Sequence, residues 1–194
     1  MISKHDMVIA ADGGYLYTQR AGIRADVIIG DFDSLGGIPG HEAGEPHIIR
    51  LPKEKDQTDT LAALQYGLER GFSHFCIYGG AGGRLDHTIA NVQCLVFLLK
   101  HGARGYLFND YTVATAIETE LKLAPRDDGI ISVFAIGGPA GGVSLRGLKY
   151  ELDDVTLTPD FPLGISNEFI GQSSCISVKQ GSLLVIYPAG THEL

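Results

Sequence analysis

Asp26-Val27-Ile28-Ile29-Gly30-Asp31-Phe32-Asp33-Ser34 is the stretch from which the rest of the chain can be read. An apolar run from Val27 to Ile29, closed by Gly30, predicts a strand buried on both faces, as in parallel sheets. Its end delivers Asp31 and Asp33 into a loop, and open α/β sheets bind ligands at such strand ends. In extended backbone, residues two apart share a side, so the two carboxylates point together while Phe32 turns back into protein. Two bare charges about 4 Å apart repel by roughly 4 kcal/mol at an effective dielectric near 20. A cation between them relieves that repulsion, and hard oxygen donors suit Mg²⁺ better than zinc or copper. By itself acid-x-acid is a weak pattern, and the same residues also read as solvated turn acids.

Working outward, Met7 to Ala11 is a short apolar run before Asp12-Gly13-Gly14, which predicts another strand end. A helical segment from Tyr15 to Ala21 stops at Gly22, Leu61 to Arg70 stops at Gly71, and Ile89 to His101 stops at Gly102. Each glycine suits a left-handed helix cap, and each is followed by an apolar run: Val27 to Ile29, Phe75 to Tyr78 and Tyr106 to Phe108. Three helix-then-strand units predict an N-terminal, mostly parallel, Rossmann-like sheet with covering helices. Leu61, Leu64 and Leu68, like Ile89, Val92, Val96 and Leu99, recur at three and four residues and predict the stripes buried on that sheet. Residues 35–46, rich in glycine and proline, predict a mobile loop beside the carboxylates, with a strand from His47 to Leu51 after it.

Beyond Asn109 the pattern changes to short strand-like runs separated by Gly, Pro and Asp turns: Thr112 to Ala116, Ile130 to Ile136, Val155 to Leu157, Cys175 to Val178 and Leu183 to Tyr187. No helical stripe interrupts them, so the expectation is a C-terminal all-β sandwich. The boundary falls near residues 110 to 125, giving an α/β domain over 1–119 and a β domain over 120–194.

Composition limits the function classes. A chain of 194 residues with 44% hydrophobic and 20% charged residues has the make-up of an ordinary globular protein. A net charge of −8 argues against nucleic acid as a partner and favours cationic or metal-bridged ligands. Cys76, Cys94 and Cys175 are odd in number and widely spaced, which argues against a disulfide framework or a zinc site and for a cytoplasmic protein. The longest unbroken apolar run, Cys94 to Leu99, is too short to span a bilayer, so no membrane association is expected.

Two further clusters carry chemistry. Lys53-Glu54-Lys55-Asp56-Gln57-Thr58-Asp59-Thr60 directly precedes the Leu61 helix. Asp56 and Asp59 are three apart, so one helical turn would put them on one face, although an Asp or Thr here is also a favoured helix cap. Lys55 is placed to meet phosphate if it reaches the same cleft. Gly79-Gly80-Ala81-Gly82-Gly83-Arg84-Leu85-Asp86-His87 lies between a strand and the Ile89 helix. Its glycines leave backbone N–H groups free to approach an anion at a helix N-terminus, and Arg84 can grip phosphate oxygens in two places. It is neither a Walker A loop nor a dinucleotide fingerprint. Asp86 reads as a helix cap and His87 as a hydrogen-bonding residue of the junction. Ser34 reads as a turn residue, because no Gly-x-Ser-x-Gly elbow surrounds it. Acids, lysine, glycines and arginine at three successive strand ends suit metal-bridged polyphosphate chemistry, which is mostly positioning and electrostatics.

Asp12-Gly13-Gly14, Gly30-Asp31-Phe32-Asp33-Ser34, Lys55-Asp56-Gln57-Thr58-Asp59 and Gly82-Gly83-Arg84-Leu85-Asp86-His87 occur in the order and spacing of the thiamine pyrophosphokinase family. Gly147-Leu148-Lys149-Tyr150 and Gly164-Ile165-Ser166-Asn167-Glu168 resemble that family's C-terminal pattern. The resemblance implies transfer of a pyrophosphoryl group from ATP, the co-substrate, to the hydroxyl of thiamine, giving thiamine diphosphate and AMP with Mg²⁺. It also implies an α/β catalytic domain, a thiamine-binding β-sandwich domain, and a homodimer with its active site at the subunit interface. Carried over by position, Asp31, Asp33, Asp56, Asp59, Arg84 and Asp86 are the implied catalytic residues, with Asp31, Asp33 and Asp59 holding the metal. Asp12, Lys55, Gly82, Gly83 and His87 are implied in binding the cofactor, and Ser166 and Asn167 in binding thiamine. Either Asp59 or Asp86 is placed to take the hydroxyl proton. Only eleven residues precede Asp12, where the family has a further strand and glycine-containing loop; either the sequence is shortened there or this member lacks that strand, and weakened nucleotide binding and activity are the expectation. The chain has no tryptophan, leaving Phe, Tyr or a non-aromatic surface to meet the thiamine rings. Two other functions fit the same clusters: a metal-dependent phosphohydrolase that activates water, and a thiamine- or nucleotide-binding protein without catalysis.

Overall fold

The computed structural model describes residues 2–32 and 46–194. Asp33, Ser34 and all but the last residue of the expected glycine-rich loop lie outside the described residues. The chain is a mixed α/β protein built as two compact units, residues 1–72 and 73–194.

In the first unit, β1 (Ile9–Ala11), β2 (Val27–Gly30) and β3 (His47–Arg50) form a parallel sheet with β2 in the centre. All four residues of β2 are buried, as an uninterrupted apolar run requires. Val27 and Ile29 pack against Ala62 and Ala63 of α2 (Asp59–Glu69). On the opposite face Ile28 joins Ala10, Ala25 and Phe32, with Tyr15 of α1 (Gly14–Arg20) against them. Phe32 is 3% exposed and does turn back into the protein, but its φ of 64° is left-handed rather than the extended backbone expected there.

Each helix ends in the same way. Gly22, Gly71 and Gly102 have φ of 66°, 82° and 70°. The glycine N–H donates to a carbonyl of the last turn (Gln19, Leu68, Leu99), and the next residue's N–H donates one residue further back (Thr18, Gly67, Leu98). Those paired bonds satisfy carbonyls that the helix itself leaves open, and the left-handed backbone favours glycine at the turn.

The helix stripes differ from those expected. In α2 the buried residues are Ala62, Ala63, Leu64 and Gly67, while Leu61 and Leu68 are only half-buried. In α3 (Leu85–Lys100) they are Asn91, Cys94, Leu95 and Leu98, while Val92, Val96 and Leu99 flank the stripe and Ile89 is 53% exposed. Small residues bring these helices close to their sheets: a Cβ on Gly105, beneath α3, would stand 2.6 Å from Leu98 Cδ1.

The second unit carries the other nine strands: β4 (His74–Ile77), β5 (Arg104–Phe108), β6 (Thr112–Ile117), β7 (Glu120–Leu123), β8 (Ile130–Arg146), β9 (Leu152–Leu157), β10 (Gly164–Glu168), β11 (Ser174–Ser177) and β12 (Gln180–Pro188). β4 and β5 pair in parallel, and β5 hands over to antiparallel strands in the order β6-β12-β8-β11-β7. α3 lays Leu95 over Leu107, Ala114 and Ala116.

β8 runs through Gly137-Gly138-Pro139, where the composition predicts a turn after Ile136. The two glycines take φ of 77° and 155°, and bulged pairing lets the first half join β10 and β12 while the second joins β9 and β11. Ile131 and Val133 from one half share a core with Val143 and Leu145 from the other. No helix among the described residues is long and apolar enough to cross a membrane.

Near the C-terminus Glu193 accepts hydrogen bonds from the hydroxyls of Tyr106 (3.0 Å) and Tyr187 (2.8 Å), and Arg104 approaches it at 3.6 Å. Burial, reinforced by Glu193 and opposed by Arg104, pushes the Tyr106 hydroxyl up to about 12; Tyr187 is raised by burial and then Glu193. A raised tyrosine contributes stability that is whole below its ordinary value near 10 and is lost as pH climbs through the folded value. Thermal stability is therefore expected to fall between about pH 10 and pH 12. Glu193→Ala, which strips both hydroxyls of their acceptor, should destabilise the protein by about 1–3 kcal/mol in denaturant unfolding at neutral pH.

Candidate functional site

The first group of site residues lies within residues 1–72. Thr58 is the N-cap of α2, its Oγ1 accepting from the Leu61 N–H at 3.2 Å. That cap leaves the carboxylate of Asp59, the first helical residue, available for another partner. Lys55 Nζ stands 2.6 Å from Asp59 Oδ1 and 3.8 Å from Asp31 Oδ2. All three side chains are largely shielded, at 13% exposure for Lys55, 24% for Asp59 and 15% for Asp31. One ammonium group thus links the end of β2 to the start of α2. Asp33, expected beside Asp31, lies outside the described residues.

Asp56 does not share a helical face with Asp59. The helix begins only after Thr58, whose φ of −75° and ψ of 156° are extended, so Asp56 precedes it and is exposed. Asp12 follows β1 with φ 43° and donates its N–H to the Ile29 carbonyl at 2.8 Å. It packs directly on Gly30, where a Cβ would stand 3.0 Å from the Asp12 Cα. Asp12 Oδ1 is buried without a hydrogen-bond partner among the described residues. A buried carboxylate oxygen left open in this way is costly unless a donor or cation reaches it.

The second group lies within residues 73–194, between β4 and α3. Gly82 and Gly83 take φ of 92° and 69° in exposed backbone. Arg84 occupies the N-cap position of α3 without a side-chain cap, and Asp86 sits inside the first turn. Asp86 is therefore not the cap. Instead its two oxygens accept from Arg84 Nε (3.1 Å) and Nη2 (2.6 Å), and Oδ1 also accepts from the His87 backbone N–H (3.0 Å). The Arg84 hydrogen bond holds the Asp86 carboxyl below the usual range, and Asp86 raises Arg84 in turn. Both side chains are well exposed, as is His87.

Ser166 and Asn167 lie on β10, where the pairing with β8 is bulged. Ser166 is exposed, has φ 57°, and donates its N–H to Ser132 Oγ at 3.1 Å. Asn167 is only 3% exposed. Its Oδ1 accepts from the Tyr150 and Glu168 N–H groups at 2.9 Å, and its Nδ2 donates to the Tyr150 carbonyl at 2.6 Å. The amide clamps Tyr150 from both backbone sides and leaves that ring exposed.

Among the expected residues, Asp31, Lys55 and Asp59 come together in one unit, and Arg84, Asp86 and the His87 backbone in the other. Asp56 is exposed ahead of α2, and Asn167 faces protein. Among the described residues no three or more His, Cys, Asp or Glu side chains gather as a metal cage. Sequence reasoning passes over Asn91, whose only signal is its place three and four residues before Cys94 and Leu95 in a stripe otherwise apolar.

Comparison with known proteins gives a consistent family. The model of the thiamin pyrophosphokinase catalytic domain matches residues 1–107, and that of the thiamin pyrophosphokinase vitamin B1 binding domain matches residues 118–183. The chain is 29% identical over 187 residues to the thiamine pyrophosphokinase of Bacillus subtilis, covering 94% of this chain and 87% of that one. It is 26% identical over 172 residues to thiamin pyrophosphokinase 1 of Caenorhabditis elegans, covering 82% and 68%. The crystal structure of the Bacillus subtilis enzyme superposes with a TM-score of 0.85 at 28% identity, over 97% of this chain and 90% of that one. The thiamin pyrophosphokinase family protein of Enterococcus faecalis gives 0.81 at 26% identity, over 97% and 92%.

Arg84→Ala removes the largest cause of the depressed Asp86 pKa. In a carbon-detected NMR titration the Asp86 carboxyl of that variant should move up toward the ordinary aspartate value near 3.9.

Proposed function

We propose that this chain, which belongs to the thiamin pyrophosphokinase family and transfers a pyrophosphoryl group from ATP to thiamine, holds Mg²⁺ through Asp31, Asp33 and Asp59. The observation that supports this assignment most directly is the Lys55 ammonium between Asp31 and Asp59. Two carboxylates from separate elements converge on a single positive charge there. Mg²⁺ is usually held by one or two carboxylates together with substrate phosphates and water, so two described acids with hard oxygen donors fit it without a closed protein cage. The open Asp12 Oδ1, next to Gly30, adds a further oxygen of the right kind. When bound, Mg²⁺ would neutralise phosphate charge and polarise the group being transferred.

The chain's own residues supply the rest. Gly82 and Gly83 offer exposed backbone N–H groups, and Arg84 offers a guanidinium, for the charge that builds on the phosphate oxygens. Asp86 holds Arg84 in its fork, so the guanidinium is oriented before nucleotide arrives. Lys55 offsets one of the two negative charges of Asp31 and Asp59 in the free protein, and in this proposal its ammonium turns to the phosphates when they bind. The thiamine hydroxyl oxygen attacks the β-phosphorus, the bond from that phosphorus to the oxygen bridging it to the α-phosphorus breaks, and AMP leaves with that oxygen. Asp59 or Asp86 accepts the hydroxyl proton, Asp56 and His87 contribute to the polar surroundings, and Ser166 touches thiamine. Asn167 contributes by fixing Tyr150 rather than by direct contact, a role its burial supports.

In this proposal catalysis belongs to residues 1–119 and thiamine binding to a β-sandwich over 120–194, divisions supported by the two family-model matches. The parallel β1-β2-β3 sheet, covered on both faces, supports a Rossmann-like reading of the N-terminal part. The shared core of the two halves of β8 supports the sandwich. Exposed Phe161, Leu163 and Ile165 support a homodimer, and three free thiols suit the cytoplasm.

A coupled assay of AMP release tests the function: AMP should form from Mg-ATP only when thiamine is present, whereas a phosphohydrolase would need no acceptor. In the same assay Asp31→Asn should lower turnover by two or more orders of magnitude, with a melting temperature close to that of the parent protein. Near-normal turnover in that variant would end the metal assignment.

A further inference from the structure

Asn91 is 6% exposed in the buried stripe of α3, in line with Cys94, Leu95 and Leu98. A buried amide is unfavourable there unless it is hydrogen-bonded, and a leucine would pack the stripe at no polar cost. Asn91 Nδ2 donates to the Gly80 carbonyl at 2.8 Å, across eleven residues of chain. Gly80 is also the tight point of the run that follows β4. A Cβ built on it would stand 2.9 Å from Asn91 Nδ2, 3.0 Å from Ile77 Cγ2 and 3.0 Å from Leu107 Cδ1. At Gly79, Gly82 and Gly83 a Cβ would meet nothing within 4 Å. The run is therefore gripped at one residue and open on either side of it.

Gly79, Gly82 and Gly83 all have positive φ, and peptide planes in such a segment reorient at little steric penalty. A planar peptide turns as a unit, so the bond to the Gly80 carbonyl also sets the direction of the Ala81 N–H. With the amide oriented as found, the flipped peptide would set donor against donor.

We propose that Asn91 is a positioning residue for nucleotide binding: its amide selects one orientation of the Gly80–Ala81 peptide and so the direction in which Gly82, Gly83 and Arg84 face. This rests on the assignment of those three residues to the phosphates of ATP. Asn91 itself is on the helix behind the run and touches no substrate.

The test compares steady-state kinetics of the full chain for Asn91→Leu and Asn91→Ser, with Arg84→Ala as a reference. Loss of one positioning hydrogen bond should raise KM for ATP about three- to tenfold, with KM for thiamine within about twofold of the parent. A merely structural role would lower the melting temperature and move both constants together or neither. Asn91→Ser keeps the test available if Asn91→Leu does not fold, because it shortens the side chain without burying a misfit. An unchanged KM for ATP in a folded Asn91 variant overturns the proposal. Arg84→Ala then separates the two ways of failing: a raised KM for ATP there leaves the phosphate assignment standing, and an unchanged one removes that assignment as well.

Discussion

A helix cannot stop without finding donors for its last carbonyl groups, and in this chain that constraint is met three times by the same device. Gly22, Gly71 and Gly102 turn the backbone into the left-handed region, close two hydrogen bonds over the final turn and send the chain back toward a strand. Where the helix stops sets where the strand begins, and strand length then sets which residues emerge at its far end. For β2 those residues are Gly30 and Asp31; for β4 they are Tyr78 and the glycine run. The chemistry-bearing residues thus inherit their positions from turns that carry no chemistry.

Much of this is legible in the sequence because it is local. A glycine after a helical segment, an unbroken apolar run and a Thr before an acidic first turn each state a backbone requirement within a few residues. The stripes of α2 and α3 escape such a reading because burial there is chosen by fit rather than by hydrophobicity. Ala62, Ala63 and Gly67 let α2 lie close to β1 and β2, and Asn91 enters the core of α3 because Gly80 offers it an acceptor. Neither fact can be seen without the partner surface. β8 extends beyond its expected end for the opposite reason: Gly137-Gly138-Pro139 has the composition of a turn, yet pairing on both sides carries it through as a bulged strand. The acid and glycine clusters are legible as clusters, while Asp56 departs from expectation because helix capping at Thr58 starts the helix three residues later than a shared face would need.

Two buried asparagines do comparable work in the second unit. Asn91 reaches from a helix to the carbonyl of Gly80, and Asn167 reaches from a strand to both backbone groups of Tyr150. In each case a side-chain amide takes the place of a missing ladder partner and holds irregular backbone that no strand or helix would hold. An amide suits this task because it carries donor and acceptor together and stays uncharged when buried. The exposed neighbours, Gly82 and Gly83 in one place and Ser166 in the other, can then present their groups outward from a fixed base.

The order of strands across the second unit also bears on how the protein is made. β12 lies between β6 and β8, so a central strand of the nine-stranded sheet is synthesised after both of the strands it joins. Until residues 180–188 leave the ribosome, β6 and β8 each offer an unpaired edge to whatever strand is nearby. Vectorial synthesis therefore gives this half of the molecule a waiting period in which chaperones and stray β-segments compete for the same groove.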